Sequence, residues 1–118
     1  MTGQLTPLQA AQEISHGLAN LDAAIKRYKA AEETAAKARV MYKTKKARAF
    51  LDHEDGSIAA RDAEATVETG VLFEQSEVAD AAVRVFKEEI RYWQAHLDAW
   101  RTLGATARAE FSTLHYGT

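Results

Sequence analysis

One proline, Pro7, is the only proline in this 118-residue chain, and that fact constrains the fold more than any other. Inside a helix, proline removes a hydrogen bond and clashes with the preceding turn. A chain whose one proline stands at the start is free to be helical nearly throughout. Thr6-Pro7 itself reads as a helix start, with threonine as N-cap and proline at the first helical position. No strong breaker comes after it until His53-Glu54-Asp55-Gly56-Ser57. Gly17 lies inside this stretch, but one glycine costs only about 1 kcal/mol relative to alanine. The first helix is therefore expected over about residues 7–52. Asp55-Gly56-Ser57 is a turn, with Ser57 the N-cap of the next helix. Glu68-Thr69-Gly70 is a weaker interruption. It leaves open a short middle helix over about 58–68 and a long one over about 71–114, or one continuous helix with a tolerated glycine. Continuity or a mild kink is the favoured reading. Gly117 and Thr118 are expected to fray.

The last helix carries the clearest periodicity. Leu72, Ser76, Ala79, Val83, Phe86, Ile90, Trp93, Leu97, Trp100, Gly104, Ala107, Phe111 and Leu114 succeed one another at strict 4-3 spacing. This is a coiled-coil seam with two non-apolar lapses, Ser76 and Gly104. A second row repeats every seven residues: Val71, Val78, Val85, Tyr92 and Ala99, with Ala82 and Leu103 between it and the seam. A helix with one partner needs one narrow stripe. The wider face implies a third helix, from the same chain or from a second copy. Val71, Val78, Val85, Tyr92, Trp93 and Trp100 are accordingly the candidate oligomer or partner interface, although the tryptophans, one heptad apart on the seam, fit core packing better. In the first helix Ile14, Leu18, Leu21, Ile25 and Tyr28 make a 4-3 seam. Beyond Tyr28 two registers compete, one through Glu32, Arg39 and Lys46, the other through Ala31, Ala35, Ala38, Tyr42 and Lys45. Either gives a narrow, alanine-lined contact.

The expected fold is therefore all-α, in one domain: a long antiparallel helical hairpin packed as a coiled coil, with two copies pairing into a four-helix bundle. Apolar residues at 47 % and charged residues at 27 % are ordinary for a soluble protein and argue against disorder.

Charge is distributed unevenly. Residues 26–48 hold nine basic and two acidic side chains, and residues 49–80 hold nine acidic and one basic, Arg61. Within the basic block, Arg39, Lys43 and Lys46 stand at i, i+4 and i+7 on one helix face, with Tyr42 among them to stack on a base. Lys37, Lys45 and Arg48 add to it. Such a stripe is the electrostatic footprint of nucleic-acid binding, and Arg39, Tyr42, Lys43, Lys45, Lys46 and Arg48 are the candidate contacts. The favoured alternative is internal. Across the turn lie Asp52, Glu54, Asp55, Asp62, Glu64 and Glu68, and opposite charges on antiparallel neighbours neutralise each other and fix the register.

Catalytic and metal chemistry find little to work with. The chain has no cysteine, so it has neither disulfides nor thiolate ligands. Glu13-Ile14-Ser15-His16 has the Glu-x-x-His step of carboxylate-bridged di-iron bundles but lacks the second step that such a site needs. His53-Glu54-Asp55 has too few ligands for calcium and no soft ligand for zinc. None of Ser15, Ser57, Ser76 and Ser112 sits in a nucleophile elbow, and there is no glycine-rich phosphate loop. No enzymatic activity, metal or cofactor is expected. No apolar run approaches the roughly 20 residues that span a bilayer, and no signal peptide is evident, so a cytoplasmic protein without membrane contact is expected.

The basic, tyrosine- and alanine-rich stretch from Tyr28 to Phe50, the Gly56-Ser57 turn with Arg61 four residues on, and the long last helix together resemble small α-helical proteins of bacteriophages of Gram-positive, actinobacterial-type hosts. Those proteins are encoded in recombination and replication regions. The resemblance covers roughly residues 20–110. It implies a small accessory factor acting in the host cytoplasm and carries over no functional residue. On the residues and the resemblance together, the first expectation is a non-catalytic interaction protein, an adaptor or inhibitor of a protein partner. A nucleic-acid-binding accessory protein comes second, and a scaffolding subunit third.

Overall fold

Thr6 opens the first helix with a reciprocal cap. Its N–H donates to Gln9 Oε1 (2.9 Å), and the Gln9 N–H donates to Thr6 Oγ1 (3.1 Å). Pro7 is the first helical residue, and α1 (Pro7–Asp52) runs unbroken to the turn. Gly56 takes a positive φ of 102° there, a conformation that side chains rarely adopt. Ser57 then caps α2 (Ile58–Glu68) by accepting the Ala60 N–H at 3.1 Å. Thr69 alone separates α2 from α3 (Gly70–Tyr116).

The computed structural model describes residues 4–116, the side chains of 115 and 116 excepted. The expectation for Gly117 and Thr118 lies outside these. Among the described residues all regular structure is helical, in three α-helices.

The α2–α3 junction is one non-helical residue rather than a loop, so the second half is a short helix followed by a long one. The hydrogen-bond ladder passes through it, from Thr69 N–H to the Ala65 carbonyl (3.1 Å) and from Phe73 N–H to the Thr69 carbonyl (2.9 Å). The buried Thr69 hydroxyl also donates back to the Ala65 carbonyl at 2.7 Å, a bond that bends helices. A Cβ at Gly70 would meet nothing within 4 Å, so no close approach requires that glycine.

Contacts gather in two compact units. The first joins Met1–Lys26 to Lys87–Thr118, and the second is Arg27–Phe86. In the first unit α1 and α3 run antiparallel, with Gly104 against Ala10 and Gly17 against Leu97. Leu97 is the largest fully buried side chain, and a Cβ on Gly17 would stand 2.8 Å from its Cδ2. The glycine thus makes room for the leucine. In the second unit the helices are again antiparallel. The Tyr42 and Phe73 rings lie 5.4 Å apart, and Arg39 reaches Asp80.

The α3 seam falls where the spacing puts it, and its two lapses are among its most buried positions. Ser76 is 5 % exposed and Gly104 is buried, whereas the seam's last members, Phe111 and Leu114, are exposed. The α1 seam differs from the expected one. Leu18 is 47 % exposed, and the positions in closest contact are Ala10, Gly17 and Ala24 in the first unit and Ala31, Ala35 and Ala49 in the second. Helix axes approach most closely where side chains are smallest, so Ile14, Leu21 and Tyr28 end up half-buried beside these positions. Of the two registers beyond Tyr28, the one through Ala31, Ala35, Ala38 and Tyr42 is adopted, but it then passes through Lys46 and Ala49, and Lys45 is exposed.

Candidate functional site

The turn is tied to α2 by two side chains. His53 lies between two carboxylates, with Nδ1 at 2.6 Å from Glu64 and Nε2 at 2.6 Å from Glu68, four residues apart on α2. Only the imidazolium form has an N–H for each of them. Arg61 donates to the Phe50 carbonyl (3.1 Å), one of the last carbonyls of α1, and its guanidinium lies 4.4 Å from the centre of the Phe50 ring.

These contacts correct the expected pairing of the basic block with the acidic segment across the turn. Of the block, Arg39 pairs across the helices with Asp80 at 3.1 Å, and Lys37 pairs with Glu33 within α1 at 3.0 Å. Lys43, Lys45, Lys46 and Arg48 have no carboxylate within 4.0 Å among the described residues, and Lys46 Nζ sits 5.8 Å from the centre of the Tyr42 ring. Glu64 and Glu68 are taken by His53 instead. The physical reason is that exposed lysine pairs contribute only ~0–1 kcal/mol, too little to hold long side chains against the entropy of leaving them in water.

Nor does the block form one face. At 100° per residue, Arg39, Lys43 and Lys46 lie on one flank of the buried Tyr42–Ala49 line, and Lys37, Lys45 and Arg48 lie on the other. Two open depressions reflect this. One, of about 640 Å³, is lined by Tyr42, Lys43, Lys46, Ala47, Phe50, Leu51 and Asp62. The other, of about 450 Å³, is lined by Thr44, Ala47, Arg48, Leu51 and Asp52.

The valine row of α3 is open to solvent. Val71, Val78 and Val85 are 66 %, 70 % and 64 % exposed, and neither α1 nor α2 covers them. Ala82, between the row and the seam, lines an open groove of about 350 Å³ with Ala30, Ala31, Thr34, Ala79 and Phe86, and Arg27 completes its wall. In the first unit Tyr92 is 60 % exposed, while Trp93 and Trp100 are half-buried on the seam. Ring contacts run from His16 to Trp93 (6.3 Å), from Trp93 to His96 (5.1 Å) and from His96 to Trp100 (6.2 Å).

Among the described residues no cluster of three or more histidines and carboxylates is placed to hold a metal ion. The two carboxylates of His53 approach opposite ring nitrogens. No helix among the described residues is long and apolar enough to cross a membrane. Tyr28 donates to Glu32 at 2.5 Å, and that bond raises the phenol above its ordinary pKa of 10.0, with desolvation and the Glu32 charge acting in the same direction.

Sequence reasoning missed His53, Glu64, Glu68 and Arg61 as a connected set, although a histidine just past a helix end and glutamates four residues apart on the next helix were visible. No protein-family model, no curated protein and no solved structure matches this chain.

Proposed function

We propose that this chain is a non-catalytic helical interaction protein that self-associates through the valine row of α3 and acts by presenting helical surfaces to protein partners. One observation carries this reading. Val71, Val78 and Val85 repeat every seventh residue, are about two-thirds exposed, and adjoin an apolar groove. A regular apolar row beside a groove has the form of a helix-packing surface, and a second copy supplies a matching row through a two-fold axis. The test is the double variant Val78→Glu with Val85→Glu. The native chain should sediment at twice the chain mass, and the variant at the chain mass with its helicity unchanged. A native protein that is monomeric at every concentration removes self-association from the account.

A second reading, nucleic-acid contact, is favoured by the free cations Lys43, Lys45, Lys46 and Arg48. If Arg39, Lys43 and Lys46 contact phosphates, replacing all three with glutamine flattens the plot of log affinity against log salt by about 2–3 units. Absence of binding to single- and double-stranded DNA at low salt rejects this reading.

A further inference from the structure

Opposite its buried line, α1 carries a second stripe of apolar residues, interrupted by Thr44. Val40, Thr44, Ala47 and Leu51 succeed one another at 4-3-4 spacing, which aligns them on one face of a helix. All four are exposed, Val40 by 64 % and Leu51 by 68 %. Lys43 borders the stripe on one side and Arg48 on the other, and neither has a carboxylate within 4.0 Å among the described residues. The relief matches the pattern. Ala47 and Leu51 form a ridge between the two open depressions, one walled by Lys43, Lys46 and Phe50 and the other by Thr44 and Arg48.

We propose that this face docks an amphipathic helix of another protein whose apolar stripe is edged with glutamate and aspartate. The inference rests on the reading of the chain as an interaction protein, but not on the valine row. A ridge with a depression on each side accepts side chains at alternating 4-3 positions of an incoming helix. Free cations on both flanks call for carboxylates on both edges of that helix, and they reject a basic one. Asp62 and Asp52 lie at the turn end of the two depressions, so the carboxylates of the incoming helix favour the stretch from Lys43 to Arg48. A nucleic-acid strand fits the same face less well. It gains nothing from covering Val40 and Leu51, and its phosphates run along one track whereas these cations straddle a ridge. The nearby rings are also engaged, Tyr42 with Phe73 and Phe50 with Arg61.

The test uses the full chain and three fluorescent probes: a peptide of about three heptads with leucine at a and d and glutamate at e and g, its sister with lysine at e and g, and oligothymidylate. The native protein should bind the glutamate peptide at least about tenfold more tightly than the lysine peptide. Lys43→Glu with Arg48→Glu should invert that preference. Val40→Ala with Leu51→Ala should weaken the glutamate peptide by about tenfold with helicity unchanged. Equal affinity for the two peptides, a preference that survives charge reversal, or an alanine pair that binds like the native chain overturns the proposal. Oligothymidylate binding that charge reversal abolishes and the alanine pair retains assigns the face to nucleic acid and overturns it as well. Repeating the assay on Val78→Glu with Val85→Glu separates the two readings. Preference retained in a monomer leaves this face standing whatever becomes of the valine row.

Discussion

The two compact units use the same 4-3 seam to different ends. The first places large side chains inside. Leu97 is buried over Gly17, and Trp93 and Trp100 are half-buried around His96. The second buries alanines, Ala31, Ala35, Ala49 and Ala65, and leaves Val40, Leu51, Val67, Val71, Val78 and Val85 outside. Burial of a large aliphatic side chain contributes about 1.5–3 kcal/mol, far more than an alanine methyl. The first unit gains this from Leu97, although it too buries Ala10, Ala24 and Ala107 and leaves Leu8, Leu18, Tyr92, Leu103, Phe111 and Leu114 exposed. The second has no large side chain as buried as Leu97, half-buries Tyr42, Phe50, Leu72, Val83 and Phe86, and is tied at the turn by His53 and Arg61.

Core truncation should break the comparison most visibly. Leu97→Ala removes the largest fully buried side chain and should cost about 2–5 kcal/mol in denaturant unfolding. Val78→Ala, on the exposed row, should stay within about 0.5 kcal/mol for the monomeric chain. Similar losses at the two positions would erase the distinction.

Glycine replacement sharpens it. At Gly17 a new Cβ meets Leu97 at 2.8 Å and His96 at 3.2 Å. Overpacking of this kind costs about 1–3 kcal/mol against a propensity gain of about 1 kcal/mol, so Gly17→Ala should be destabilising or at best neutral. Gly70→Ala meets nothing and should stabilise by about 0.5–1 kcal/mol. Melting temperatures that move the same way for both substitutions would contradict the packing described.

The polar ties of the second unit come next. Arg61→Ala removes the bond to the Phe50 carbonyl and the stacking on its ring, and should cost about 1–2 kcal/mol with fraying at the end of α1, seen in amide exchange. The smallest effect concerns pH. The Tyr28 phenol, raised by its bond to Glu32, contributes stability that is fully present below pH 10.0 and lost as pH rises through the higher folded value. Tyr28→Phe should remove this alkaline component from the stability profile, and an unchanged profile would show that the bond does not persist in solution.

How much of this the sequence disclosed depended on side-chain size. Thr6-Pro7, Gly56-Ser57 and the α3 seam were legible because caps, turns and large apolar residues leave strong local signals. The register of α1 was not, because hydrophobic periodicity tracks the leucines and isoleucines, whereas the axes close on Ala10, Gly17, Ala24 and Ala31. Gly17 read as a local cost and is in fact the contact that lets Leu97 in. The valine row was visible as a surplus stripe, and neither α1 nor α2 covers it. The basic block was misjudged for a different reason. Net charge in a window says nothing about reach, and His53 and Arg61 were better placed than any lysine to meet α2. The outer stripe of α1 had the same 4-3 signal as the seams, hidden among the lysines that flank it.

The central claim is that the second unit's exposed apolar row is a working surface and the first unit's exposed apolar residues are not. It is tested by sedimentation of two double variants side by side, Val78→Glu with Val85→Glu in the second unit and Leu18→Glu with Leu103→Glu in the first. All four native residues are exposed, at 70 %, 64 %, 47 % and 46 %. The account predicts a native dimer, a helical monomer for the valine pair, and a dimer for the leucine pair. A dimer that survives in the valine pair, or one that dissociates only in the leucine pair, would contradict it.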